Sequence, residues 1–210
     1  MNIKCNLKDL INGLNVVARS INRTTMPILD GVLIEAYNNK LKLTTNDLEI
    51  GSEHTLDCTI IEEGSTVVDM KMLNEIVRKI EDIDIEIEVQ DSIFILKSIN
   101  GIFKLTTMNP NEYPRLPVFN VENTVELEQN VLKDMIKRTS FSVSNDENRP
   151  IYNGALLKVE DNILTIVAID GFRLSLRKHV NQKSVNNFKS IIPGKVLNEL
   201  LKILSDNDNE

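Results

Sequence analysis

Apolar residues along the chain alternate between two spacings. Leu7, Leu10, Ile11, Leu14, Val17 and Ile21 recur at helical intervals, which predicts a helix over 7–20. A proline follows, and then shorter segments of strand character. Val32–Ala36 and Lys40–Thr44 flank Asn38-Asn39, a pair suited to a tight hairpin turn. Leu73, Ile76, Val77 and Ile80 predict a second helix over 71–80, followed by strands at 83–89, 93–98 and 102–107. The stretch from Met108 to Asn120 holds three prolines and reads as a connection. The order then starts again. Leu132, Met135 and Ile136 open a helix over 132–143, strands follow at 156–159 and 163–167, and Leu197, Leu200, Leu201 and Leu204 predict a helix over 195–204.

The recurrence extends to residue identity. Leu7-Lys8-Asp9-Leu10-Ile11 returns as Leu132-Lys133-Asp134-Met135-Ile136, and Pro27, Gly31 and Asp47 return as Pro150, Gly154 and Asp170. Lys71-Met72-Leu73-Asn74-Glu75-Ile76 returns as Lys195-Val196-Leu197-Asn198-Glu199-Leu200. The offset stays near 124 residues, so the repeating unit is domain-sized. The expected division is a first domain over 1–119, a linker over 120–125 and a second domain over 126–210. By the repeat, the second domain stops about 35 to 40 residues short of the first. Helix, strands, helix, strands in each unit predicts an α+β fold, two helices packed on antiparallel sheet, and each unit itself resembles a doubled half.

Charge changes this picture more than composition does. The net charge of −7 argues against a simple basic nucleic-acid binder. The charge is not evenly spread, however. The four predicted helices hold ten basic and four acidic residues, a balance of +6, which leaves −13 elsewhere. Lys71, Asn74 and Arg78 share a helix face, as do Lys195, Asn198 and Lys202, and Lys8, Asn12, Asn15 and Arg19 line another. With Lys133 and Lys137, these faces are suited to phosphate rather than to base edges. An ordinary solvated helix face is the competing reading. Aromatic content of 4% disfavours single-strand binding by base stacking, so duplex backbone is the better ligand.

No phosphate loop, nucleophile elbow or catalytic constellation is legible. Asp47 and Asp170 read as turn aspartates rather than a carboxylate pair. Cys5 and Cys58 lack metal spacing and read as reduced thiols, and His54 and His179 are isolated. No cofactor and no metal is expected. No apolar run approaches the roughly 18 residues of a membrane span. The N-terminus lacks the apolar core of a signal peptide, so a cytoplasmic location is expected.

Several segments together resemble the bacterial DNA polymerase sliding-clamp family. They are Arg23-Thr24-Thr25-Met26-Pro27-Ile28-Leu29, Thr44-Thr45-Asn46-Asp47-Leu48-Glu49 and Glu112-Tyr113-Pro114-Arg115-Leu116-Pro117. Arg149-Pro150-Ile151-Tyr152-Asn153-Gly154 and Ala168-Ile169-Asp170-Gly171-Phe172-Arg173-Leu174 complete the set, in the family's order. The resemblance implies a non-enzymatic processivity factor with three such domains per subunit. Two subunits would close into a homodimeric ring around duplex DNA, helices inward and sheets outward. It implies DNA contacts at Arg23, Lys71, Lys195 and the loop 146–151, where Arg149 is the expected contact. It also implies a pocket for short linear motifs of the replicative polymerase, the clamp loader and repair proteins. The half of that pocket in this chain would be Tyr152, Ile169, Gly171, Phe172, Arg173 and Leu174, with Ile169 replacing the family's usual threonine. The alternative expectation is a fragment or paralogue that cannot form a ring and acts only as an interaction module, monomeric on its own.

Overall fold

A computed structural model describes residues 1–22, 25–117, 124–146, 148–181 and 186–206. The chain divides into two compact units, Met1–Pro117 and Val118–Glu210.

The first unit runs β1 (Asn2–Asn6), α1 (Leu7–Val17), β2 (Gly31–Tyr37), β3 (Lys40–Asn46), β4 (Gly51–Glu62), β5 (Gly64–Asp69), α2 (Met70–Val77), β6 (Asp84–Gln90), β7 (Ile93–Ser98) and β8 (Gly101–Met108). Strand, helix and three strands thus occur twice in succession, the doubled half that the helix–strand order suggests. All pairings are antiparallel, and the eight strands close in the order β1-β4-β3-β2-β5-β8-β7-β6. Closure leaves no free sheet edge among the described strands of this unit. Leu10 and Leu14 of α1 and Leu73 and Val77 of α2 are buried in one cluster with Ile3, Ile34, Leu43, Ile87 and Phe94 of the strands.

Local chemistry sets the element ends. The Asn6 side chain accepts hydrogen bonds from Lys8 N and Asp9 N at 3.0 and 3.3 Å, and Asp69 accepts from Met72 N at 2.7 Å, so both helices carry side-chain caps. Asn38 and Asn39 both have positive φ, as do Asp91 and Ser92 and, in the second unit, Asp161 and Asn162. These are two-residue turns with the backbone twist that a tight hairpin requires. The helix predicted over 7–20 stops as α-helix at Val17 and tightens to a 3₁₀ turn over Ala18–Ser20. There the Thr45 hydroxyl donates to the Val17 carbonyl, satisfying an oxygen that the helix end leaves open.

The second unit contains α3 (Gln129–Lys137), β9 (Gly154–Glu160), β10 (Ile163–Ile169), β11 (Leu174–Val180), β12 (Phe188–Pro193) and α4 (Gly194–Ile203). Its strands form one antiparallel sheet, β11-β10-β9-β12. One face packs Ala155, Val159, Leu164, Ile166 and Ala168 against Met135, Ile136 and Leu197 of the helices. The predicted helix over 132–143 is displaced, starting at Gln129 and ending at Lys137. Thr139 ends it by turning its hydroxyl back to the Met135 carbonyl at 2.8 Å. A 3₁₀ turn over Ser140–Ser142 follows, and Ser142 Oγ pairs with Ser175 Oγ at 2.7 Å. Ser20 and Ser52 make the matching contact in the first unit.

The stretch read as a connection does not begin as one. Residues up to Pro117 belong to the first unit. Tyr113 is 2% exposed and packs with Leu29, Leu33 and Val67. Residues 120–123 of the linker expected over 120–125 lie outside the described residues, as do residues 118 and 119. Among the described residues, no helix is long and apolar enough to cross a membrane.

Candidate functional site

Helices α1 and α2 pack against each other in the first unit, and α3 and α4 do so in the second. The apolar side of each pair faces the core, so the polar side faces out. Lys8, Lys71 and Arg78 are exposed in the first unit, and Lys137, Lys195 and Lys202 in the second. Arg78 bridges the first pair: its Nε donates to Asn74 at 3.0 Å and its Nη2 to Asn15 at 2.5 Å. The asparagines of the basic stripes therefore hold a cation in place as well as offering donors of their own. Asn198 of α4 is exposed at the position matching Asn74.

Three of the expected cations are less available. Arg19 lies in the 3₁₀ turn and is half-buried. Lys202 pairs with Glu199 at 2.7 Å. Lys133 pairs with Asp206 at 2.9 Å and its side chain is 22% exposed, so it does not stand on the open basic face as expected. The first turn of α3 meets the segment after α4, where Ser205 N donates to the Gln129 side chain at 2.9 Å. Arg23 lies outside the described residues.

The expected peptide corner is the turn between β10 and β11. Asp170 Oδ1 accepts from Phe172 N and Arg173 N, both at 3.0 Å, and Asp170 N donates to Arg173 O at 3.3 Å. Asp47 does the same in the first unit, accepting from Glu49 N at 3.0 Å and Ile50 N at 2.7 Å. The two aspartates are turn residues, as the sequence suggests. The Phe172 amide, with the amide and guanidinium of Arg173, holds the Asp170 carboxyl below the usual carboxylate range. Gly171 occupies the turn position with φ +92°, where a side chain would strain the backbone.

This turn aims its side chains outward. Phe172 is fully exposed, at 100%, and Leu174 is 59% exposed. Ile169 and Leu174 are opposed partners on the same face. Tyr152 is half-buried at the end of a 3₁₀ turn over Pro150–Tyr152. Arg173 pairs with Asp170 at 2.8 Å, and its guanidinium lies 5.5 Å from the centre of the Phe141 ring. Arg149, expected on a separate DNA-contacting loop, lies beside this corner. A β-carbon on Gly171 would stand 3.9 Å from its Nη1.

The corner continues along β11 into a surface groove lined by Asp134, Arg138, Phe141, Leu176 and Arg177. Arg138 and then Arg177 hold Asp134 below the usual carboxylate range. None of these groove residues was expected as part of the peptide site. Phe141 falls in a helix prediction, and only the fold carries it to Arg173. Leu176 was legible in principle, through the alternation Leu174, Leu176, Val180.

Two domain families account for most of the chain. The model of the DNA polymerase III beta subunit N-terminal domain matches residues 1–117, and that of the central domain matches residues 126–210. The chain belongs to the DNA polymerase III beta subunit family. A curated "Beta sliding clamp" of Halalkalibacterium halodurans is 38% identical over 211 residues, covering 94% of this chain and 56% of the relative. That of Staphylococcus epidermidis is 35% identical with similar coverage. Among solved structures, the sliding clamp of Bacillus subtilis matches with a TM-score of 0.94 at 34% identity, over 100% of this chain and 58% of that one. A Pseudomonas aeruginosa clamp bound to griselimycin matches at 27% identity with a TM-score of 0.91. The chain thus spans about half the length of the beta-subunit relatives that it matches.

Proposed function

We propose that this chain is the DNA-facing and partner-binding part of a sliding clamp that encircles duplex DNA. It would tether the replicative polymerase without catalysing a reaction itself. The observation that carries this reading is the repetition of one exposed basic helix face, Lys71 with Arg78 at the end of α2 and Lys195 on α4 with Lys202, the last paired with Glu199. Both faces mix cations with asparagine and lack the aromatic platforms that grip single strands. Such contacts are indifferent to base sequence and weak one by one. A protein held on DNA by topology needs no more than that, and weak contacts permit sliding. The corner of Tyr152, Ile169, Gly171, Phe172, Arg173 and Leu174 would receive short peptide motifs, with apolar anchors on Phe172 and Leu174 and a carbonyl or carboxylate held by Arg173.

Charge reversal tests the DNA surface. Lys71→Glu with Lys195→Glu in the full-length protein should lower retention on nicked circular DNA and shorten processive synthesis. The deficit should shrink as salt rises, because screening removes the contacts from the unaltered protein too. Retention equal to wild type at both low and moderate salt would overturn this reading.

A further inference from the structure

The two cysteines of the chain are far apart in sequence and neighbours in the first barrel. Cys5 of β1 and Cys58 of β4 are directly opposed in the antiparallel ladder. Opposed residues project to the same side of a sheet. Here that side is the core: Cys5 is 4% exposed, and Cys58, half-buried, packs on the same cluster.

Antiparallel pairs alternate between a hydrogen-bonded type, with Cα atoms about 5.5 Å apart, and a non-bonded type at about 4.5 Å. Neighbouring bonds decide which type this pair is. Cys58 N–H donates to the Asn39 carbonyl at 3.1 Å, so the Cys58 peptide faces the β2–β3 turn. On β1, Leu7 N donates to Ile83 O and Met1 O accepts from Val89 N, both at 2.9 Å. Residues two apart in a strand direct their backbone groups to the same side. Cys5 therefore faces β6, where Ile85 is its partner. Both cysteines turn their backbone groups away from each other, which makes theirs the closer, non-bonded type. Its Cα separation falls within the roughly 4.4–6.8 Å that a disulfide spans, and its β-carbons are the nearest that a ladder offers.

We propose that Cys5 and Cys58 form a reversible disulfide-modification site whose co-reactant is a low-molecular-weight disulfide such as oxidised glutathione. Both cysteines border a surface cleft with Asn6, Asn39, Asp57 and Asp84, and Cys58 is the entry point because it is half-buried whereas Cys5 is 4% exposed. Its thiolate attacks one sulfur of oxidised glutathione and expels one glutathione thiolate. Cys5, once deprotonated, then attacks the Cys58 sulfur of the mixed disulfide and expels the second. Two protein thiols become one disulfide, one oxidised glutathione becomes two reduced ones, and the two protons pass to the departing thiolates. Burial, with Cys58, Asp84 and Asp9 nearby, pushes Cys5 up to about 12. Burial and Asp57 also raise Cys58, against an opposing pull from Lys40. The exchange is therefore slow at neutral pH and accelerates in mild alkali. The product joins the first strand to the longest strand of the barrel.

The test is incubation of the purified protein with oxidised glutathione at about pH 8.5, near a free thiol's pKa, followed by intact mass and non-reducing peptide mapping. The wild type should lose two hydrogens and yield one peptide joining Cys5 to Cys58. Cys5→Ser should stop at a single glutathione adduct on Cys58, and Cys58→Ser should stay unmodified. The oxidised wild type should unfold roughly 5 °C higher and revert with dithiothreitol. A stable glutathione adduct on wild-type Cys58, a crosslink between two chains, or two thiols still free would each overturn the proposal.

Discussion

Leu33 and Val67 lie opposed across β2 and β5 of the first unit, and Tyr113 covers both. Leu156 and Ile191 hold the same register positions across β9 and β12 of the second, and Ile191 is 47% exposed. The row continues differently too. In the first unit it runs on to Thr44 and Glu53; in the second, to Val167 and Leu176, so four apolar side chains cross the whole sheet. The framework of the two units is shared down to the turn aspartate and the serine pair. What covers the outer face is not. In the first unit the cover comes from the chain itself, through Tyr113, the Arg115–Glu35 ion pair at 2.6 Å, and Leu116 lying on Gly51. An exposed apolar row beside an outward-aimed Phe172 is the kind of surface that binds a partner. Fold and function therefore separate at the outer face, and of the two units only the second carries residues of the proposed peptide site.

The largest effect should come from removing the cover. Tyr113→Ala deletes a buried ring and a hydrogen bond from its hydroxyl to Gly31 O at 3.4 Å. It should destabilise the first unit by about 3 kcal/mol, as loss of a buried aromatic does. Ile191→Ala, at the half-exposed counterpart of Val67, should cost the second unit under about 1 kcal/mol. Denaturant unfolding, with each unit followed by hydrogen exchange, separates the two. Equal losses would mean that the outer faces are buried alike, and the comparison would fail.

Sequence pattern made the shared framework legible and left the differences obscure. β7 has the bounds that its apolar alternation predicts, and the asparagine pair between β2 and β3 forms the expected turn. β4 was not legible: along its length only Leu56 is fully buried, and its partner changes from β3 to β1 midway. A strand that switches neighbours has no single alternation to display. β11 inverts the usual rule, since Leu174, Leu176 and Val180 are three of its four exposed residues, with Lys178 the fourth. At the site, the turn around Asp170 was readable because an aspartate capping its own turn is a local matter. The approach of Phe141 to Arg173 and of Arg149 to Gly171 depends on tertiary packing, which no local spacing encodes.

The matching turns allow a finer test. Leu48 has φ +72° where Gly171 has φ +92°, so the first unit places a leucine where the second has glycine. Left-handed backbone costs a residue with a β-carbon roughly 1–2 kcal/mol. Gly171→Ala should therefore destabilise the second unit by about 1 kcal/mol and loosen the corner that carries Phe172. Leu48→Gly should be neutral or slightly stabilising, because relief of the strain offsets the added freedom of the unfolded chain. Thermal unfolding of the two variants checks the sign. Destabilisation by both would show that Leu48 contributes through contacts rather than tolerating strain.

The smallest effect is electrostatic. The Asp170 carboxyl is held below its ordinary range, first by the Phe172 amide, then by the Arg173 amide and guanidinium. A carboxylate with a depressed folded-state pKa stabilises the fold fully above its unfolded value of about 3.9, and the contribution fades as pH falls through the folded value. The second unit should therefore lose stability on acidification below about pH 4 more steeply than Asp170→Asn does. Asparagine keeps an oxygen for the two turn amides but has no charge to lose, so its curve should be flatter in that window and lower near neutrality. Unfolding midpoints between neutral pH and about pH 3 give both curves. Parallel curves would place the acid sensitivity of this unit elsewhere, with Asp134 between Arg138 and Arg177 the next carboxylate to replace.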